Sequence, residues 1–350
     1  MTNQVLLGAS HLSGSDLVVS RLALGGNMLG GRLDASASFA LLDRFAEAGG
    51  RLVDTAAVYA DWLPDRERGC SEKTLGRWLR SRRGTDVVVA TKGGHPALDD
   101  PERSRLDQAS VRADVEQSLV RLGLSSLPLW FTHRDDPTRP VAEIVGDLEA
   151  LRAEGLVRWY GMANWTTPRL AEVAALRASG AADGFVATQS ALAAAVPRPD
   201  ALAVGLVAAD EAMLRLHRTA GLTLLAYSAQ AKGYFDRVSR LATGAGQQAG
   251  GPGEAAPDAA VDLYDSPGSR RAAEVVDRVA AAHRTTPTQV ALAALLLVDA
   301  SVIPVVGCSS VARLSEVLAA AALELSEEEG AALREVLPMG GSGDGAAGPP

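Results

Sequence analysis

Eight short apolar runs, each followed by a stretch of helical period, predict a single-domain (β/α)8 barrel for this 350-residue chain. The runs are nearly continuous in Val, Leu and Ile, as in parallel strands buried on both faces. No run opens into the GxGxxG turn of a doubly wound dinucleotide-binding sheet. The nearest match, GAGQQAG (244–250), has the wrong last spacing and no strand before it. A hydrophobic fraction of 47% supplies the core that such a barrel needs.

The strands are expected, after a short N-terminal extension, at LVVSRLALGG (17–26), RLVDTA (51–56), DVVVATKGG (86–94), LPLWFTHR (127–134), VRWYGMANW (157–165), GFVATQS (184–190), LTLLAYS (222–228) and SVIPVVG (301–307). Between them SASFALLDRFAEAGG (36–50), SEKTLGRWLRSRR (71–83), SVRADVEQSLVRLG (110–123) and PVAEIVGDLEALRAEG (140–155) carry helical period, and several close on the Gly that stops a helix. Thr286, Pro287 and Gln289 form a helix start with a side-chain cap, and Ser326 with Glu329 opens a last helix in the same way. Residues 229–268 read as a long loop inserted after the seventh strand, far beyond the usual connection of about 4–6 residues. Residues 1–338 are thus assigned to the barrel and 339–350, MGGSGDGAAGPP, to a flexible tail.

A net charge of −8 with no long Lys/Arg run argues against nucleic acid and anionic lipid as partners. The longest uncharged apolar run, Val290 to Val298, is about half of the ~20 residues needed to span a bilayer. The N-terminus has neither a basic region nor a continuous apolar one, so a cytoplasmic location is expected. Cys70 and Cys308 have no CxxC spacing and read as reduced thiols, with no metal site.

Chemistry in a barrel sits where the strands run out, at their C-terminal ends. There the second strand ends in Asp54, with Tyr59 five residues on. The third ends in Lys92, the fourth in His133, the fifth in Asn164, the sixth in Gln189, and the seventh in Tyr227 and Ser228. Each alone is an ordinary rim residue; their joint occurrence is not. His11, His95, His217 and His283 lack such partners and are read as structural.

The local sequences DTAAVY (54–59), ATKGG (90–94) and FTHRDD (131–136) closely resemble the aldo-keto reductases. The resemblance runs from about residue 17 to 325 and includes SEKTLG (71–76), GMAN (161–164), Gln189, AYS (226–228) and VVGCSS followed by RLSEV up to Val317. It implies a catalytic tetrad of Tyr59, Asp54, Lys92 and His133. A phenol has an ordinary pKa of about 10, and a neighbouring ammonium lowers it. Lys92 is therefore expected to bring Tyr59 down, with Asp54 holding Lys92 and His133 aligning the substrate carbonyl. Tyr59 would be the general acid in reduction and the base in oxidation, and a nicotinamide would supply hydride.

The same resemblance implies that Asn164 and Gln189 bind the carboxamide of that ring while Tyr227 stacks on it beside Ser228. Ala163 stands where the family usually has Ser, which removes one carboxamide contact. Ser309 and Arg313 match the region that holds the 2′-phosphate of NADP, and Glu316 matches an acidic residue at the adenosine. Val317 replaces the Asn common beside it. Lys232 or Arg237 of the long insertion is expected near the pyrophosphate.

The pocket wall for a small-molecule carbonyl substrate is assigned to Asn27, Met28, Trp62, Trp130, Arg134 and Trp165. The substrate, the physiological direction and the oligomeric state stay open in the sequence. An alternative is a nucleotide-sensing regulatory subunit with little turnover. A Schiff-base role for Lys92 would leave Tyr227, Asn164 and Gln189 unexplained.

Overall fold

The computed structural model describes residues 7–82, 84–242, 257–299 and 301–337. An antiparallel hairpin, β1 (Ala9–His11) and β2 (Val18–Ser20), leads into eight parallel strands: β3 (Ala23–Gly25), β4 (Leu52–Asp54), β5 (Val88–Gly93), β6 (Leu127–Thr132), β7 (Val157–Ala163), β8 (Phe185–Ala191), β9 (Thr223–Tyr227) and β10 (Val302–Val306). Each barrel strand pairs with the next, and β10 pairs back on β3, which closes the barrel. This is the (β/α)8 architecture expected from the eight runs.

The first run is corrected: residues 17–26 form two strands, not one. Ser20 turns the chain between them, its hydroxyl donating to the Leu22 carbonyl (2.6 Å) and accepting from the Arg51 amide (2.9 Å). The hairpin then folds under the barrel. Leu12, Leu17 and Val19 pack with Leu52, Ala90, Leu129 and Ile303 in the barrel interior, and Ser13 N–H donates to Thr223 Oγ1 (3.0 Å) at the start of β9. The N-terminal extension is therefore a plug at the end opposite the strand C-termini.

Helices α1 (Ala35–Glu47), α2 (Cys70–Ser81), α3 (Gln108–Leu122), α4 (Val141–Ala153), α5 (Thr167–Ala178) and α6 (Glu211–Ala220) cover the strands in turn. Asp34, Asp107 and Asp210 cap α1, α3 and α6, each accepting a backbone N–H three residues on. In α1 the buried face is Leu41, Leu42, Phe45 and the following Ala48, the i, i+1, i+4, i+7 stripe of a core-facing helix.

The insertion is the second correction. Where a long loop was expected, α7 (Tyr234–Ala242) and α8 (Pro257–Tyr264) fold onto α9 (Pro267–His283). The reason is a second core: Tyr234, Phe235, Leu263 and Tyr264 bury against Val276 and Val290, and Tyr234 stacks edge-on with Phe235 at 5.4 Å. The Gly-rich GAGQQAG stretch and the 339–350 tail lie outside the described residues. Helix α10 (Pro287–Leu296) opens on the expected Thr286–Gln289 capping box. Helix α11 (Val311–Ala319) follows β10, and α12 (Glu327–Val336) opens on the Ser326–Glu329 box. Among the described residues no helix is long and apolar enough to cross a membrane.

Candidate active site

Strand geometry explains why polar residues gather at one end. Side chains alternate along a strand, so residues two apart share a face. Leu52, Ala90, Phe131, Ala187 and Leu225 all point into the barrel interior. Two residues further on in each case come Asp54, Lys92, His133, Gln189 and Tyr227. Each strand thus carries one apolar side chain in the barrel and one polar side chain at its mouth.

Lys92 is the hub. Its Nζ donates to Asp54 Oδ2 (2.8 Å), the Thr55 carbonyl (2.8 Å) and Tyr59 Oη (2.9 Å), so the three protons of the ammonium have three acceptors. Lys92 and Asp54 are each 1% exposed. Gln189 Nε2 donates to the other Asp54 oxygen (3.0 Å), which fixes the carboxylate from the far side of the barrel. Burial works against the Lys92 charge, but Asp54 and Tyr59 outweigh it and hold the ammonium above its ordinary pKa.

Tyr59 differs from the sequence expectation. Lys92 does pull the phenol down, but burial is the larger effect, and with Asp54 nearby the net shift is upward from the ordinary value. The phenol is therefore a protonated donor at neutral pH. His133 lies edge-on to Tyr59 (ring centroids 5.9 Å) and is held well below its ordinary pKa by burial, then by Lys92. It is a neutral imidazole, and its buried Nδ1 has no partner among the described residues.

Beside this cluster lies a cavity of about 530 Å³ lined by Asn27, Met28, Asp54, Tyr59, Trp62, Tyr227, Ser228, Lys232, Arg237, Ser309, Arg313 and Glu316. Most of the sequence-assigned residues thus meet on one wall. Asn164 and Gln189 do not line it and are largely spent within the protein. Asn164 Nδ2 donates to the His133 carbonyl (3.2 Å), and its Oδ1 accepts from Tyr227 Oη (2.7 Å) and Val207 N (3.2 Å). Arg313 Nη1 donates to Glu316 Oε2 (3.0 Å).

Two pocket-wall assignments are corrected. Trp130 is fully buried in the outer core between strands and helices, because it alternates with Phe131, which takes the barrel interior. Trp165 is also in that core: Asn164 adopts a left-handed conformation (φ 62°), which ends the strand alternation and turns the indole outward under the Arg169 guanidinium (4.8 Å to the ring). Trp62 is 48% exposed, packs edge-on to Tyr59 (6.3 Å) and lines the cavity. Arg134 stands beside the mouth and does not line the cavity.

The sequence reading missed Arg32, Gln230, Asp236, Arg240 and Thr288 on the same wall. The spacing of Gly233, Asp236, Arg237 and Arg240 (i, i+3, i+4, i+7) was the available signal, hidden because the segment was read as loop. His95, set aside as structural, stacks on His133 at 4.8 Å.

The aldo/keto reductase family model matches residues 21–338. The chain belongs to this family. Aldo-keto reductase str7 of Strobilurus tenacellus is 28% identical over 85% of this chain and 80% of its own. Norsolorinic acid reductase stcV of Emericella nidulans is 28% identical over 92% of this chain and 79% of its own. An aryl-alcohol dehydrogenase [NADP(+)] of Phanerodontia chrysosporium is 32% identical over 43% of this chain and 42% of its own. This aldo/keto reductase is accordingly an NAD(P)H-dependent oxidoreductase acting on small carbonyl compounds.

Proposed function

We propose that the chain reduces an aldehyde or ketone to an alcohol with NADPH, Tyr59 delivering the proton to the carbonyl oxygen. The observation that carries this reading is the donor set on Lys92. Its bond to Tyr59 Oη occupies a lone pair of the phenol oxygen, while the phenol's own proton has only a long contact, 3.5 Å, to Asp54 Oδ2. That proton is the one left for a substrate oxygen. As it leaves, Lys92 at 2.9 Å meets the developing phenolate charge in a buried site where the interaction is strong. His133, neutral, can donate one N–H to the same carbonyl oxygen and orient it. In alcohol oxidation Tyr59 takes the proton back.

The cavity wall suits a dinucleotide. Arg32, Lys232, Arg237, Arg240 and Arg313 face it against Asp54, Asp236 and Glu316, a surplus of cations that favours phosphates. Ser309 and Arg313 would hold the 2′-phosphate, Lys232 and Arg237 the pyrophosphate. Tyr227 and Ser228 would flank the nicotinamide, with Glu316 toward the adenosine; the expected carboxamide contacts of Asn164 and Gln189 would require them to exchange bonds they make to Tyr227, His133 and Asp54. When bound, the nicotinamide supplies the hydride, which no side chain can. The Phanerodontia relative is named as an NADP(+) enzyme, which supports the same coenzyme here.

The coenzyme assignment is tested by titrating the protein with NADPH and NADH. A charge-assisted phosphate contact predicts NADPH binding tighter by roughly ten- to a hundredfold, most of it lost in Arg313→Ala. Equal dissociation constants, or an unaltered NADPH affinity in the variant, would sink it.

A further inference from the structure

We propose that the mouth of the barrel holds a subsite for a carboxylate of the substrate, formed by the Arg134 guanidinium; this rests on the carbonyl reduction proposed above. Arg134 directly follows His133 and is half-buried. Its Nη1 donates to the His133 carbonyl (3.2 Å), and its Cδ and Nε lie 3.2 Å from where a Cβ on Gly205 would stand, under the loop between β8 and α6. The side chain therefore runs from the end of β6 past the His133 carbonyl toward the loop between β8 and α6, at the edge of the mouth.

The acidic neighbours do not neutralise it. Asp135 is taken by Arg169 (Nε–Oδ2 2.6 Å), and Asp136 Oδ1 accepts from Thr138 N (3.0 Å) and Thr138 Oγ1 (2.6 Å). Asp54 belongs to Lys92 and Gln189. The FTHRDD segment is thus no local salt bridge, and no carboxylate among the described residues pairs with Arg134. Holding a cation out of water without a counter-charge is costly, and burial here pushes the guanidinium below its ordinary pKa.

A substrate can remove that cost. The other titratable groups facing Arg134 are His95 and His133, both held neutral by burial, and the hydroxyls of Tyr59 and Tyr227, which lie within its electrostatic reach. On the substrate side of the mouth the uncompensated charge is positive. A guanidinium keeps four further N–H donors after its bond to His133, in the fork geometry that a carboxylate matches. The neighbourhood of the Tyr59 hydroxyl then sets the chemical class: a carbonyl compound bearing a carboxylate, its body against Trp62.

The test compares the 2-, 3- and 4-carboxybenzaldehydes with their methyl esters, which remove the charge and add one methyl group, using NADPH and NADH. At least one acid should exceed its ester tenfold or more in kcat/KM, equivalent to about 1.4 kcal/mol. Arg134→Gln should bring that ratio near one, mainly through KM, and Arg134→Lys should restore part of it. Esters reduced as well as the acids, or a ratio unmoved in Arg134→Gln, overturns the subsite while leaving the reductase reading intact. Absence of turnover with every aldehyde overturns the reductase reading instead. Calorimetry with benzoate then decides the subsite alone: binding lost in Arg134→Gln supports it, and equal binding overturns it.

Discussion

At the scale of residues, the site separates the proposed proton donor from the charge beside it. Lys92 is held charged and Tyr59 protonated, while His133 stays neutral. Their shifts leave the interval between the ordinary values of His and Tyr, 6.5 and 10.0, without a titration from these three groups. The sign follows: reduction needs the phenol protonated, a form present at every pH below its raised pKa. The kcat/KM for reduction should be flat across that interval, while alcohol oxidation, which needs the phenolate, should rise with pH. A steady-state pH profile checks this, and an alkaline limb for reduction near neutrality would contradict it. The residue types at the strand ends were legible because strand period and barrel closure bring them together. The direction of the Tyr59 shift was not, because burial depth is a property of the assembled mouth. Trp165 was misread for a similar reason, since nothing in the order of residues announces the left-handed turn at Asn164.

At the scale of elements, SEKTLG is the joint that sets β5. Ser71 Oγ donates to the Gly26 carbonyl (2.7 Å), and Glu72, fully buried, accepts from Thr91 Oγ1 (2.6 Å) and Arg121 Nη1 (3.0 Å). Thr91 precedes Lys92, so this bond holds the strand that carries the ammonium. Gly76 lets α2 approach α3: a Cβ there would stand 2.3 Å from the Arg121 carbonyl. Gly76→Ala gains up to about 1 kcal/mol of helix propensity. Overpacking against backbone costs about 1–3 kcal/mol and shifts Arg121 away from Glu72. The clash should win, and denaturant unfolding should show a net loss of about 1–2 kcal/mol; a stabilised variant would refute the close approach. Helices α1 to α4, α10 and α12 were legible from period and caps. Helices α7 and α8 were not, because their apolar face is completed by α9 and α10, far along the chain.

At the scale of the whole molecule, the barrel buries neutral imidazoles that the unfolded chain would protonate. His133 and His217 are both held below their ordinary value by burial, and His217 bonds Thr188 Oγ1 and the Met213 carbonyl, each at 2.6 Å. Below an unfolded pKa of 6.5 the unfolded state binds protons that the native state refuses. Stability therefore falls as pH drops, by up to about 1.4 kcal/mol per pH unit for each group. Denaturant unfolding at pH 7 and about pH 5.5 should show the loss, and equal or greater stability at the lower pH would contradict it.

The proposed carbonyl reduction depends above all on Tyr59 as the proton donor. The most direct measurement is turnover and coenzyme affinity of Tyr59→Phe on the best carbonyl substrate found. In the proposed reaction the phenol oxygen acts on the substrate, whereas the cations proposed to hold the coenzyme phosphates lie in the segments that follow β3, β9 and β10. Turnover should fall by about 10²–10⁴-fold, and NADPH affinity should stay within a few fold. Wild-type turnover in Tyr59→Phe would contradict that role.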